Sequence, residues 1–265
     1  MGKIAEVFLG EIPSSSWGKY AFRGQANAEW ELHSSATRRL RRTGRIQTNG
    51  SKQTSNGQLW NIYREYHKED LIFPARTAGF DIEEGRVVSD LQLLSKLQHF
   101  GAATGLIDFT WNPLIALWFA CEEHTEDSKK KDGKIFVVKL DDPNIYTNIY
   151  KRVSNEKETL EEQETLEKLF PSPYDDSSLR LYWEPKVRSE AGARILVQQS
   201  VFVLAHPHVL HNEGEITKKI SIDSSDKKAI RQELADLGIT QLSLFRDIHG
   251  FSVVNDQYAS GVTNE

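Results

Sequence analysis

The stretch from Leu97 to Ala120 restricts this chain more than any other. Thr104–Phe109 is a short apolar run of strand length, and Asn112-Pro113 behind it is a helix start. Asn caps free amides, and Pro needs no donor in the first turn. Leu114, Leu117, Trp118 and Cys121 then fall at i, i+3, i+4 and i+7, which predicts one buried helical face. Upstream, Ser89 and Gln92 have the spacing of a capping box. Leu91, Leu94 and Leu97 share the inner side of that helix, and Gly101 is placed to end it.

Other segments are read in the same way. Trp17–Gln25 leads into a strand ending in Phe22-Arg23-Gly24, and Leu59–Phe73 carries apolar positions at the helical period. Lys134–Leu140, Ala193–Leu204 and Lys218–Ile222 read as strands, with Val and Ile suited to a pleated surface. Glu156–Phe170 reads as a surface helix ended by Pro171–Pro173. Ser225 reads as the cap of a helix through Leu237, stopped by Gly238. Strand and helix blocks do not alternate regularly, which predicts an α+β fold with a mixed sheet rather than a doubly wound one. With 38% hydrophobic and 27% charged residues, the 265-residue chain is expected to form one domain over 1–265. It would carry a mobile basic loop over 42–57, rich in Gly, Ser, Thr and Asn, and a C-terminal tail.

Several functional classes are disfavoured. No apolar run approaches the roughly 20 residues that span a bilayer, so no membrane partner is expected. Met1–Glu6 lacks the pattern of a secretion signal, and a single cysteine, Cys121, fits a reducing, cytoplasmic setting. Its apolar surroundings make it a buried, inert thiol. His206, His208 and His211 cluster without a Cys or acid at ligand spacing, so no metal is expected. There is no phosphate-binding loop of the Gly-rich kinds and no Gly-x-Ser-x-Gly. A net charge of −5 gives no global attraction to nucleic acid. The run from Thr37 to Lys52, however, holds Arg38, Arg39, Arg41, Arg42 and Arg45 and no acid. A solvated face is the first reading of that run, and a phosphate-contacting flap is the sharper one.

Two segments are odd for a plain core. Arg23 follows an apolar strand end and precedes Gly24, yet an unpaired buried arginine is costly and a glycine beside it admits a ligand. Asp108, Thr110 and Trp111 stand where a strand meets a helix N-terminus, a setting that favours anions. Arg23 with Asp108 is therefore either a structural ion pair or part of an anion or nucleotide pocket.

These residues carry a resemblance. Phe22-Arg23-Gly24-Gln25, with Trp30-Glu31-Leu32, Ser35 and Arg38, resembles the opening signature of the FRG domain family. Leu97-Gln98-His99-Phe100-Gly101, running through Asp108-Phe109-Thr110-Trp111-Asn112-Pro113 to Ala120, is similar to its central block. Arg194-Ile195, Gln198, Ser200 and Phe202 resemble a third block, and Leu237–Gly250 a fourth, so the blocks spread from about residue 20 to 255. Ala103 and Gly105 stand where the family often has Pro and Arg, and Arg246 and His249 replace a common Pro and Asp.

The block order is similar to that of ADP-ribosyltransferases, which cleave the nicotinamide–ribose bond of NAD on a mixed, split β-sheet core with flanking helices. The resemblance implies NAD as substrate and no metal. Arg23, Gly24, Gln25, Thr110 and Trp111 would bind the dinucleotide, and Asp108, Gln198 and His99 would act in catalysis. It also implies a toxin or phage-defence effector that modifies a protein or nucleic acid, which Arg38, Arg41, Arg42 and Arg45 would grip. Gln198 stands where the enzymes carry Glu, and a neutral amide brings no charge to an oxocarbenium-like centre. Asp108 would then supply the charge, or the chain is a non-catalytic nucleotide-binding or regulatory interaction module.

Overall fold

The structure is a computed structural model that describes residues 2–8, 20–47, 54–126, 128–140, 147–148, 180–185, 193–205 and 218–245. In chain order the elements are α1 (Lys3–Phe8), β1 (Tyr20–Gln25), α2 (Ser35–Arg42) and α3 (Asn56–Glu65). A π-helical segment (Tyr66–Ile72) runs into α4 (Phe73–Thr77), followed by β2 (Ile82–Glu83), β3 (Arg86–Val87) and α5 (Asp90–His99). Next come β4 (Leu106–Thr110), α6 (Pro113–Ala120), β5 (Thr125–Glu126), β6 (Lys129–Lys130), β7 (Gly133–Lys139) and β8 (Thr147–Asn148). The last are β9 (Arg180–Trp183), α7 (Ala193–Val197), β10 (Ser200–Ala205), β11 (Lys218–Ile222), α8 (Lys227–Asp236) and α9 (Gln241–Leu244).

The architecture is mixed α+β. One sheet has the order β11-β7-β1-β4-β10-β9-β8, antiparallel throughout except for the parallel β8–β9 pair. One junction in it is thin. Strands β1 and β7 pair over six positions, whereas β1 and β4 share the single position Phe22–Thr110. Two apolar clusters flank that junction. One packs Phe22, Ile135 and Ile220 against α6 and α8, and the other packs Leu106, Phe202 and Trp183 against α2, α3 and α5.

Helix α6 is the keystone. Asn112 accepts from the Leu114 amide as its cap, and Pro113 opens the first turn. Ile115, Ala116, Leu117 and Trp118 are all buried while Leu114 is half-buried, so the helix is enclosed on most sides rather than along one face. It lies directly on the strands. A Cβ on Gly24 would overlap the Ala116 carbonyl oxygen, and one on Gly133 would overlap that of Ala120. The Lys227 ammonium, 4% exposed, then donates to the carbonyls of Ala26 (2.6 Å) and Glu122 (3.1 Å), tying α8 to the ends of β1 and α6.

Local chemistry accounts for the agreements and the differences. The Ser89–Gln92 capping box opens α5, and Gly101 beyond its end has a φ of 92°. The helix expected over Leu59–Phe73 starts earlier, on a Ser55–Gln58 capping box. It also continues further, because the π-helical register precedes Pro74, which has no N–H to give. The loop expected over 42–57 is shorter: Arg42 belongs to α2, and Asn56-Gly57 open α3. Ala193–Leu204 is not one strand. Ala193–Val197 is a helical turn, and Gln199 at φ 48° redirects the chain into β10. Its apolar Ile195 and Val197 pack against different clusters, which helical but not strand geometry allows at this bend. The cap of α8 is Asp226, since the Ser225 hydroxyl is bonded to Asp223. The helix expected over Glu156–Phe170 with its stop at Pro171–Pro173, the His206–His211 cluster, Arg246 and His249 lie outside the described residues. Among the described residues, no helix is long and apolar enough to cross a membrane.

Because backbone atoms of α6 cannot yield as a side-chain end would, Gly133→Ala should destabilise the protein by about 3 kcal/mol in urea titration. Gly57→Ala is the control: a Cβ there meets nothing within 4 Å, and helix propensity predicts a gain of about 0.5 kcal/mol.

Candidate functional site

Where β1 and β4 part, the Arg23 side chain takes over from the ladder. Its Nη1 donates to the Asp108 carbonyl at 2.7 Å and lies 3.8 Å from the Asp108 carboxylate. Burial lowers the Arg23 pKa, Asp108 opposes that shift, and Arg38 adds to it. Its Nε is buried with no hydrogen-bond partner among the described residues. A guanidinium that caps a strand junction and keeps a donor unspent is suited to holding an anion.

The Asp108 carboxylate is 55% exposed, and it is held in place. Gln98 Nε2 donates to its Oδ1 at 2.7 Å, and Gln98 Oε1 in turn accepts from the Thr104 hydroxyl. Sequence reasoning quoted Gln98 but assigned it no role. The signal was an amide in the last turn of α5 beside a strand acid, and only the fold places the two within reach.

Arg23, Gly24, Gln98, His99, Asp108, Thr110 and Gln198 line one cavity of about 300 Å³. The three distant side chains Arg23, Asp108 and Gln198 therefore meet. Their availability differs. Thr110 donates its hydroxyl to the Gln198 carbonyl (2.7 Å) and accepts from the Asn112 amide (3.0 Å), which makes it a brace. Gln198 sits in the turn after α7, and its Nε2 donates to the Leu244 carbonyl at 3.1 Å. His99, half-buried at the end of α5, meets the Phe100 ring edge-on at 5.0 Å. Trp111 does not join them: it packs with Ala21, Phe109 and Val201 in a third apolar cluster and lines no described hollow near Asp108. Sequence reasoning missed Ser95 and gave Arg194 no role, and both also line the cavity.

A larger hollow of about 1140 Å³ adjoins the first through Arg23, Gly24 and Phe119. Gln25, Trp30, Arg38, Arg41 and Arg231 line it. Gln25 is 6% exposed, and its Oε1 has no partner among the described residues. The arginines of α2 are dispersed. Arg38 donates to the His33 carbonyl at 2.7 Å, and Arg41 reaches Glu31 at 3.4 Å. Arg42 lines a third hollow with Arg38, Arg39 and Tyr66, whereas Arg45 lines none of the three and is paired with Asp70 at the edge of the third. They do not form one grip.

With this geometry in view, comparison with known families is decisive for one segment. Residues 18–129 match the FRG domain. The FRG match spans β1 to β6, and with them Arg23, Gln98, His99 and Asp108. Gln198, Arg194 and Arg231 lie beyond it. No curated protein and no solved structure matches the chain.

Gly105, within the FRG match, departs from the arginine that the resemblance leads one to expect. A Cβ there would lie 2.9 Å from His67 Nε2 and from the Tyr63 ring. His67 is fully buried. Its Nδ1 donates to the Tyr63 carbonyl (2.6 Å), which leaves Nε2 to accept from the Gly105 amide (2.8 Å). The glycine thus makes room for a neutral imidazole that fixes the approach to β4.

Burial lowers the His67 pKa to about 4, against 6.5 when free. Only the unfolded chain takes up the proton between those values, so the stabilisation is complete above pH 6.5 and is lost as pH falls towards 4. It amounts to about 3 kcal/mol. Unfolding free energies of wild type and His67→Gln should converge by that amount over this window, and a gap independent of pH would refute the assignment.

Proposed function

We propose that the cavity binds the nicotinamide–ribose end of NAD and that the chain is an NAD-dependent ADP-ribosyltransferase or NAD glycohydrolase. The observation that carries this reading is the meeting of Arg23, Asp108 and Gln198 on one cavity. In it, Arg23 holds the diphosphate by its unspent Nε. The bond between ribose C1′ and the nicotinamide nitrogen breaks, and its electron pair leaves with nicotinamide. The Asp108 carboxylate, fixed by Gln98, stabilises the positive charge that develops on the ribose. A water or an acceptor hydroxyl then attacks C1′, and its proton passes to His99. Because Gln98 already holds it in position, the carboxylate needs little reorganisation as that charge develops. An acceptor protein or nucleic acid would approach from α2, and a cytoplasmic toxin or defence role fits such an activity.

One observation favours a second reading, in which NAD binds without turnover. Gln198 is neutral, and its amide is committed to Leu244, so Asp108 would be the lone carboxylate at the reaction centre among the described cavity residues.

Nicotinamide release from labelled NAD separates the two. Catalysis predicts release by the wild type and a fall of about 10²–10³-fold in Asp108→Asn, the scale for losing one preorganised group. Arg23→Ala should lose NAD binding in either case. Under the binding reading, NAD at a hundredfold its Kd stabilises the fold by about 2.7 kcal/mol without release. Neither release nor stabilisation would remove both.

A further inference from the structure

The cleavage step leaves most of the larger hollow unused, yet that hollow is built for a ligand. Gln25 closes one side with its buried Oε1, an acceptor that nothing among the described residues satisfies. Arg231, one turn beyond Lys227 on α8, lines the same hollow. Its guanidinium lies 3.9 Å above the Trp118 ring, and its Nη1 is buried with no hydrogen-bond partner among the described residues. Arg23 Nε is a second such donor, at the junction with the smaller cavity. Two guanidinium donors and one amide acceptor therefore stand unspent around a single space.

Four arginines and four glutamates line it, and three of the glutamates have cations beside them, Glu123 with Lys130 at 3.9 Å. Glu29 is held by Lys131 at 2.8 Å, and Glu31 is met by His33 at 2.8 Å and Arg41 at 3.4 Å. Burial raises the Glu122 pKa, and Arg231, Lys227 and Arg194 oppose that shift. Arg231 makes no ion pair among the described residues. Trp30, 45% exposed, also lines the hollow, with its ring at 62° to that of His124 and 4.8 Å from it. Aromatic faces of this kind stack on nucleobases.

We propose that the larger hollow is a nucleoside-diphosphate subsite. Arg231 and Arg23 take the diphosphate, Trp30 stacks on the base, and Gln25 Oε1 accepts from a hydroxyl or amine of the nucleoside. This deepens the NAD reading and rests on it for one point only, that the occupant is the ADP half of the dinucleotide rather than free ADP. Arg231 lies outside the segment matched to the FRG domain, so the C-terminal part of the chain completes the site.

Calorimetric titration of the full chain with ADP, and separately with inorganic pyrophosphate, tests this. Both should bind the wild type. Arg231→Gln should weaken both at least tenfold. Trp30→Ala should weaken ADP at least tenfold and leave pyrophosphate unchanged. Gln25→Leu should weaken ADP while raising the melting temperature of the free protein, because it removes a buried orphan acceptor; that rise excludes misfolding as the cause. No ADP binding, or equal ADP affinity in all three variants, overturns the proposal. ADP binding with this variant pattern sustains it even if NAD is never cleaved, whereas NAD turnover that saturating ADP does not inhibit overturns it.

Discussion

A single rung of backbone pairing, Phe22 opposite Thr110, joins the two halves of this sheet. Everything at the site follows from how the chain manages that weak junction. An antiparallel pair normally gains stability from several successive ladder bonds. Here the ladder stops after one position, and the Arg23 guanidinium supplies a bond to the Asp108 carbonyl in its place. A side chain used as a strand clamp is long, charged and multiply donating. It therefore keeps hydrogen-bonding capacity that a backbone amide would have spent. The gap that weakens the sheet is the same gap that opens the cavity.

Rigid neighbours keep the gap from closing. Helix α6 rests on the glycine backbones of β1 and β7 so closely that a methyl group would not fit. The buried Lys227 ammonium locks the free ends of β1 and α6 to α8. On the other side, His67 and Tyr63 crowd Gly105 and fix the lead into β4. Asp108 then projects from a strand whose neighbouring residues are buried, and Gln98 holds its carboxylate. The carboxylate stays 55% exposed, with the Arg23 guanidinium 3.8 Å from it.

The elements most legible in the sequence were those with strong local chemistry. Ser89 with Gln92 and Asn112 with Pro113 carry their own start signals, and β4, β7 and β11 declare themselves by β-branched residues between breakers. Where tertiary contacts decided the outcome, local pattern misled. Ile195 and Val197 look like strand residues, yet they form a helical turn because each anchors to a different cluster. Trp111 looked like a dinucleotide-binding residue beside Asp108, but it packs against the third apolar cluster. Arg23 and Asp108 could be paired from the sequence as two costly charges needing partners. Arg231 could not, because nothing local distinguishes it from a solvated arginine on an amphipathic helix. The fold alone brings it beside residues about two hundred positions away.

The distribution of unsatisfied groups is the last constraint. A buried polar atom without a partner costs roughly 1–3 kcal/mol, so folded proteins keep few. Other awkward buried groups among the described residues find partners: His67 uses both ring nitrogens, Lys227 finds two carbonyls, and the Thr104 hydroxyl bonds Gln98. Yet Arg23 Nε, Gln25 Oε1, Ser95 Oγ and Arg231 Nη1 are left without hydrogen-bond partners among the described residues, and all four residues line the two adjoining hollows. Random imperfections of packing would scatter through the core. Their concentration around two hollows that share Arg23, Gly24 and Phe119 is the pattern a polar ligand would satisfy on binding.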